Sequence, residues 1–172
     1  MRKLFTLILV AAILQSCSPI FKIIPLKGKY DKSNTFYFEK SQDEVWNGLM
    51  KVMVQKGLSI KSFERASGVL FGDDTYSMTK TYEDDKGQLM QNDAYIVTEK
   101  EFDGNTTHIP YAVNAKWNIL VYQQNGKTAL YINLFDIFSS SSFSPNGITN
   151  LGYYKAVSTG NFEKMIADSI KF

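Results

Sequence analysis

The chain has little of what most disulfide-rich, metal-binding or catalytic proteins are built from. Its 172 residues include one cysteine, one histidine and four prolines. A single cysteine excludes a disulfide framework within the chain. The single histidine, His108, falls in a predicted loop, so we expect neither a histidine-based catalytic triad nor a metal site made of several histidines.

An excess of positive or negative charge is also missing once the first residues are set aside. Arg2 and Lys3 account for the net charge of +2, because residues 1–16 contain no acid. From Cys17 onward, basic and acidic side chains balance. A neutral domain lacks the basic stripe that neutralises nucleic-acid phosphates and the polybasic patch that attracts anionic lipids. The sequence therefore predicts no nucleic-acid partner.

The first residues have the three parts of an export signal. Arg2 and Lys3 form a positive start, the run from Leu4 to Leu14 is apolar, and the small residue Ser16 precedes Cys17. The run is too short for a spanning helix, which needs about 20 apolar residues. An unpaired thiol just after a cleavage site is hard to explain in an oxidising compartment unless it is modified. An ordinary secretory signal followed by an incidental cysteine is the alternative.

The segment Leu14-Gln15-Ser16-Cys17 resembles the lipobox of bacterial lipoproteins. That resemblance implies a diacylglycerol on the sulfur of Cys17, removal of residues 1–16, and stable attachment through several acyl chains. Ser18 stands where an aspartate commonly retains lipoproteins at the inner membrane. We therefore expect the protein on the periplasmic face of the outer membrane, with membrane lipid as its first partner and no cofactor beyond this covalent lipid.

Three segments are predicted along the chain: a signal peptide (1–16), a lipidated tether (17–33) and a single folded domain (34–172). Within the domain, aromatic and β-branched runs and turn residues predict strands, and 3.6-residue periodicity predicts helices. The capping-box sequence Ser41-Gln-Asp-Glu44 and Gly57 bound the first helix, and Asn125-Gly126 favours a tight hairpin turn. The predicted strands are 34–40, 58–66, 69–74, 94–99, 111–124 and 127–138, and the helices are 41–56 and about 159–171.

This order predicts an α+β fold in which two helices pack on one face of an antiparallel sheet. Segment 139–147 is serine-rich and is expected to be a surface loop. The two long strands, 111–124 and 127–138, are unusual because both of their faces carry apolar side chains. The face away from the helices is therefore either covered by a loop or used for contact, and Tyr122, Tyr131 and Phe135 are the candidate interaction residues.

Four short segments resemble the pattern of BamC-like lipoprotein domains. They are Ser41-Gln-Asp-Glu-Val-Trp46, Gly57-Leu-Ser-Ile-Lys61, Glu64-Arg-Ala-Ser-Gly-Val-Leu70 and Ser158-Thr-Gly-Asn-Phe-Glu163. The resemblance covers about half of the domain after the signal peptide and is concentrated at its two ends. It implies a helix-grip fold (β-α-β(n)-α) and an accessory role in assembling outer-membrane proteins. A shared fold does not by itself carry an activity.

No motif for catalysis or metal binding is present. The chain contains no phosphate-binding glycine loop, nucleophile elbow or metalloprotease motif. The acidic groups Asp73-Asp74 and Glu83-Asp84-Asp85 lack the register of a calcium loop and are expected to be solvated turn residues. We expect a protein that is not an enzyme.

Two function classes stay open on sequence grounds. One is a non-catalytic interaction or accessory subunit of an envelope protein complex. The other is a lipoprotein that binds a small ligand or lipid inside the sheet. A cavity larger than about 300 Å³ lined by Trp117, Tyr131 and Phe135 would favour the ligand-binding class. A solid core with an exposed aromatic patch would favour the interaction subunit.

Overall fold

A computed structural model describes residues 22–30, 34–73, 78–102, 104, 106–110, 112–143 and 150–170. These residues form eleven strands and two helices. The strands are β1 (Lys22–Ile24), β2 (Thr35–Phe38), β3 (Ile60–Glu64), β4 (Val69–Asp73), β5 (Lys80–Thr81), β6 (Ile96–Thr98), β7 (Lys100–Phe102), β8 (Thr107–His108), β9 (Ala112–Gln124), β10 (Lys127–Phe143) and β11 (Asn150–Ser158). The helices are α1 (Gln42–Lys56) and α2 (Asn161–Ile170).

The first helix begins and ends where the local sequence predicts. The Ser41 hydroxyl accepts a hydrogen bond from the Glu44 N–H at 3.3 Å, and the Glu44 carboxylate accepts one from the Ser41 N–H at 2.8 Å. This reciprocal capping box satisfies two backbone donors that the helix leaves without partners. Gly57 then adopts φ +65°, a left-handed conformation that ends α1.

The larger sheet has the strand order β3-β4-β9-β10-β11-β6-β5, and its pairs are antiparallel except β5 with β6. Strand β2 pairs with the first part of β10, on the same side as β11, which pairs with the last part. A smaller antiparallel sheet has the order β1-β7-β8. Asn125 (φ +51°) and Gly126 (φ +76°) form the tight turn between β9 and β10, as predicted.

Both helices bury their apolar faces in one core with the central strands. The helix residues are Val45, Trp46, Leu49, Val52, Met53, Phe162, Ile166, Ala167 and Ile170, and the central-strand residues include Trp117, Ile119, Val121, Leu130, Ile132 and Leu134. The predicted α+β class is therefore confirmed. None of the helices in the described part of the chain is long and apolar enough to cross a membrane.

The prediction of a surface loop at 139–147 is wrong for its first part. Strand β10 continues to Phe143 and pairs with β11, a strand that the sequence analysis missed. Ser139 is buried, and its hydroxyl donates to the Tyr154 carbonyl oxygen at 3.1 Å. A run of serines carries no alternation of apolar residues, so its pairing depends on distant strands that the local pattern does not reveal. Residues 144–149 lie outside the described part.

Candidate functional site: the outer face of the central sheet

The two central strands divide their side chains between a core face and an outer face. On β9, Trp117, Ile119 and Val121 point into the core and are at most 1% exposed. The alternating residues Leu120 and Tyr122 therefore lie on the opposite side of the sheet. The β9 to β10 register places Tyr131 opposite Leu120 and Ala129 opposite Tyr122. The outer side of this hairpin is thus apolar and aromatic, although neither helix packs on it.

Neighbouring strands extend the aromatic surface on both sides. Tyr37 of β2 pairs with Ala129, and Val69 of β4 pairs with Leu120. The hydroxyls of Tyr37 and Tyr122 both donate to Oε1 of Gln124, at 3.1 and 3.3 Å. A single amide oxygen therefore fixes the orientation of two tyrosine rings at the hairpin end.

The next row of outward-facing residues lies two residues further from the hairpin turn than Leu120 and Tyr131. Asn118 pairs with Asn133 on one side and with Phe71 on the other. Its Oδ1 atom is buried and accepts no hydrogen bond from the described residues. A buried acceptor without a donor costs about 1–3 kcal/mol of stability.

Asn118→Val is expected to raise the free energy of unfolding by about 1 kcal/mol, because valine removes the unsatisfied acceptor and favours the strand conformation. The measurement is urea denaturation followed by circular dichroism. Asn133→Val is the matched control on the paired strand. Destabilisation by Asn118→Val but not by Asn133→Val would contradict this expectation and show that the Asn118 amide makes a stabilising contact.

The far end of the outer side is charged. Phe135 pairs with Lys116, and the next residue, Asp136, has φ +49° where β10 carries one extra residue relative to β9. The Asp136 carboxylate accepts a hydrogen bond from Lys116 Nζ at 2.5 Å. That hydrogen bond and the charge of Asp136 raise the pKa of Lys116, with a smaller contribution from Asp73. The bulge thus ends the aromatic surface with an exposed ion pair.

We define the outer face as Tyr37, Val69, Phe71, Leu120, Tyr122, Tyr131 and Phe135. Tyr37 is 54% exposed and Phe71 is 41% exposed. The three residues predicted from sequence, Tyr122, Tyr131 and Phe135, are half-buried here. Tyr37 and Phe71 could not be assigned to this face from the sequence, because strand register between distant segments decides their position. The predicted lipidation residue, Cys17, lies outside the described residues.

A cavity of about 380 Å³ opens between β2 and β11, at the stretch of β10 that pairs with neither. Its lining is mostly polar and includes Tyr30, Asn34, Asn133, Phe135 and Glu163. Trp117 and Tyr131 do not line it, so it is not the aromatic cavity that would favour a ligand binder. Residues 31–33, which join two of its lining residues, are outside the described part.

Glu163, near the start of α2, is 4% exposed and borders this cavity. The Ser158 hydroxyl lies 2.9 Å from each of its carboxylate oxygens. Burial raises the pKa of Glu163 more than hydrogen bonds from its own N–H, the Ser158 hydroxyl and the Leu134 N–H lower it. Glu163 therefore provides an acceptor for β10 at the stretch where neither β2 nor β11 pairs with that edge of the strand.

A second buried carboxylate, Glu83, holds the segment that follows β1. It accepts hydrogen bonds from the Lys27 N–H (2.6 Å), the Gly28 N–H (2.8 Å) and the Tyr30 hydroxyl (2.5 Å). We call these four residues the Glu83 clamp. Glu83 is 4% exposed, so its prediction as a solvated turn acid is wrong, whereas its neighbour Asp85 is almost fully exposed. The clamp attaches part of the predicted tether to the folded body.

Burial alone would raise the pKa of Glu83, but the hydrogen bonds from Lys27, Tyr30 and Gly28 outweigh it and hold the pKa below its ordinary value of 4.5. The contribution of Glu83 to stability is therefore present above pH 4.5 and is lost as the pH falls through its lowered pKa. The raised pKa of Glu163 has the opposite consequence. Its contribution is greatest below pH 4.5 and is lost as the pH rises through its pKa.

Glu83→Gln and Glu163→Gln are thus expected to change the pH dependence of unfolding in opposite senses. Relative to the unchanged protein, Glu83→Gln loses most stability at about pH 7, where the ionised clamp is strongest. Glu163→Gln instead gains stability relative to the unchanged protein as the pH rises above about 4.5, because the glutamine cannot ionise. Urea denaturation at a series of pH values measures both. The same trend in both variants would contradict these assignments.

No group of three or more histidine, cysteine, aspartate or glutamate side chains that could hold a metal ion occurs among the described residues. His108 is half-buried on β8.

No protein-family model matches the chain, and a search of curated proteins finds no similar sequence.

Proposed function

We propose that this protein is a membrane-anchored bacterial lipoprotein that acts as a non-catalytic interaction subunit in the cell envelope and binds a protein partner through its outer face. The proposal includes a diacylglycerol on Cys17, residence on the periplasmic face of the outer membrane, and a role in outer-membrane assembly. It also includes a helix-grip type of fold. The packing of two helices on one face of a mostly antiparallel sheet supports this part of the proposal.

The observation that carries the proposal is the exposure of aromatic side chains on a rigid surface. Tyr37 and Phe71 are 54% and 41% exposed, on strands paired with the two longest strands of the sheet. Contiguous apolar patches of this kind on a folded domain are typical of protein contact sites, and aromatic residues are enriched at the centres of interfaces. Sheet pairing fixes the backbone that carries these rings, which lowers the entropy cost of binding.

The ligand-binding alternative has one observation in its favour, the cavity of about 380 Å³ beside Glu163. A pocket for a small ligand is usually apolar with a few polar groups. This cavity has instead a mostly polar lining, with the buried Glu163 and two asparagines, Asn34 and Asn133. It also lacks two of the three aromatic residues expected of such a pocket. The interaction subunit is therefore the better supported function.

A deletion strain that shows an envelope defect provides the test. We expect Phe71→Lys and Tyr131→Lys to fail to restore the normal phenotype, because a charge on the outer face opposes burial against a partner. Val54→Lys is the matched control, since Val54 is 77% exposed on α1, on the helix side of the sheet. His108→Ala is expected to restore function fully. Loss of function in His108→Ala at normal protein levels would revive an enzymatic or metal-binding role.

A further inference from the structure

The cavity beside Glu163 lies between the outer face and the start of α2. Side chains alternate along β10, so Asn133 and Phe135 line the cavity from the outer side of the sheet, whereas Glu163 lines it from the side of the helices. Phe135 is itself a residue of the outer face. The volume of about 380 Å³ falls within the range of about 300–1,000 Å³ that is typical of ligand sites. The cavity is therefore continuous with the surface proposed to bind a partner.

Backbone pairing fixes the walls of this cavity. The Ile132 N–H donates to the Asn34 carbonyl oxygen at 2.8 Å, which continues the pairing of β2 with β10 up to the cavity. On the opposite wall, residues 156–158 of β11 pair with β6 and so diverge from β10. The Ser158 hydroxyl holds Glu163 in place. The site is thus formed before any ligand enters, which lowers the entropy cost of binding.

The lining of the cavity favours a cation. Among its described lining residues, the charged side chains are Glu163 and Asp136, and none is a lysine or arginine. Lys116 neutralises Asp136, which is half-exposed. In the described part of the chain Glu163 accepts from neutral donors alone, and the Ser158 hydroxyl has one proton for two carboxylate oxygens that each lie 2.9 Å from it. A buried carboxylate with spare acceptor capacity favours a positively charged donor.

The other lining residues suit a planar cation with several donors. Asn34 and Asn133 carry amide oxygens that can accept hydrogen bonds, and Phe135 provides an aromatic ring. A guanidinium group has five N–H donors in one plane and stacks on aromatic rings, whereas an ammonium group is compact and strongly hydrated. Arginine is also enriched in protein interfaces and among the residues that contribute most to binding.

We propose that the cavity receives an arginine side chain of the protein partner, with its guanidinium group against the Glu163 carboxylate. This inference rests on the partner binding of the proposed function and adds the residue type that the partner inserts. Contact of the rest of the partner with the outer face excludes water from the cavity, which strengthens the ion pair. A mostly polar lining suits such a side chain better than it suits an apolar ligand.

Binding of a model arginine to the full chain, solubilised in a neutral detergent, tests the site. The probe is N-acetyl-arginine methylamide. N-acetyl-citrulline methylamide is the control probe, because it replaces the guanidinium group with a neutral urea of similar shape. The NMR resonance of the Glu163 side-chain carboxyl carbon, assigned by its absence from Glu163→Gln, reports binding. Glu39→Gln is the matched control variant, since the Glu39 carboxylate is 78% exposed and does not line the cavity.

At neutral pH we expect the arginine probe to shift the Glu163 resonance and to bind Glu39→Gln as tightly as the unchanged protein. Removing the charge in Glu163→Gln, or using the citrulline probe, should weaken binding at least about tenfold. Equal binding of the two probes, equal binding to Glu163→Gln, or no shift at Glu163 would overturn the inference.

The pH dependence gives a second readout. The cation binds ionised Glu163, so affinity for the arginine probe should rise as the pH rises through the raised pKa of Glu163, and should stay constant in Glu163→Gln. Among the other described lining residues, Tyr30 and Asp136 also titrate. Burial raises the pKa of Tyr30, which therefore stays neutral. Asp136→Asn should keep the rise in affinity, and its loss in that variant would overturn the assignment to Glu163.

The deletion strain separates this inference from the proposed function. Phe71→Lys is expected to fail under both, whereas only the inference expects Glu163→Gln to fail as well, although that variant is more stable than the unchanged protein at neutral pH. Full function of Glu163→Gln together with failure of Phe71→Lys would overturn the inserted arginine and leave the outer face as the interface. Full function of both variants would overturn the proposed function, and the inference with it.

Discussion

Gly72→Ala is expected to lower the free energy of unfolding by about 3 kcal/mol, the upper part of the range for overpacking a core. A Cβ atom at this position would lie 1.9 Å from Cζ2 of Trp117 and 2.5 Å from the Ser59 carbonyl oxygen. Trp117 is fully buried at the centre of the core and pairs with Gly72 across β4 and β9. The buried ring has no free space into which it can move, and the Ser59 oxygen belongs to the backbone, which must shift as a whole to give way.

Thermal and urea denaturation followed by circular dichroism measure this effect. Gly48→Ala is the matched control, because its Cβ would meet only the Ile170 side chain, with Cγ2 at 3.2 Å, and no backbone atom. Alanine also favours a helix over glycine by about 1 kcal/mol, so this control is expected to be neutral or slightly stabilised. The double variant Gly72→Ala/Trp117→Leu is expected to be more stable than the sum of its single effects implies. Strict additivity would show that the ring is not the obstacle.

Cys17→Ala is expected to abolish membrane attachment, which is the largest functional effect we predict. A diacylglycerol and any further acyl chain each contribute about 0.8 kcal/mol per buried methylene, and alanine offers no sulfur for either. Radiolabelled palmitate should enter the unchanged protein and not the variant. Ser18→Asp is the matched control, since it should keep the label while moving the protein to the inner membrane. Absence of label from the unchanged protein would remove the lipoprotein assignment.

The parts of the fold that could be predicted from the sequence are those set by neighbouring residues. The capping box at Ser41 and Glu44, the left-handed Gly57 and the Asn125-Gly126 turn each depend on a few adjacent positions, and all three were predicted. The apolar face of α1 also follows from nearby residues, because its apolar side chains recur with the 3.6-residue period of a helix.

The missed features depend on residues that are far apart in the chain. Ser139 is buried because β11 pairs beside it, and Glu83 is buried because residues 27–30 fold onto it. In the sequence, Glu83 looks like the exposed Asp85 that follows it two positions later. Only the contact with a segment more than fifty residues away distinguishes them.

Because strand pairing joins residues that are far apart in the chain, only part of the candidate site could be predicted from the sequence. Alternation along the central hairpin identified Tyr122, Tyr131 and Phe135 as residues that do not belong to the core face. Tyr37 and Phe71 belong to the outer face because of the register in which β2 pairs with β10 and β4 pairs with β9. A shift of one residue in either strand would turn these rings to the other side.

Crosslinking in living cells tests the central claim, that the outer face binds a partner, most directly. A photoreactive benzoylphenylalanine replaces Tyr37 in one strain and Val54 in another, with the lipid anchor intact in both. We expect a discrete crosslinked product from position 37 that is missing from position 54 and is lost when Phe71→Lys is added to the same chain. No product from position 37, or the same product from both positions, in protein that is folded and present at normal levels would contradict it.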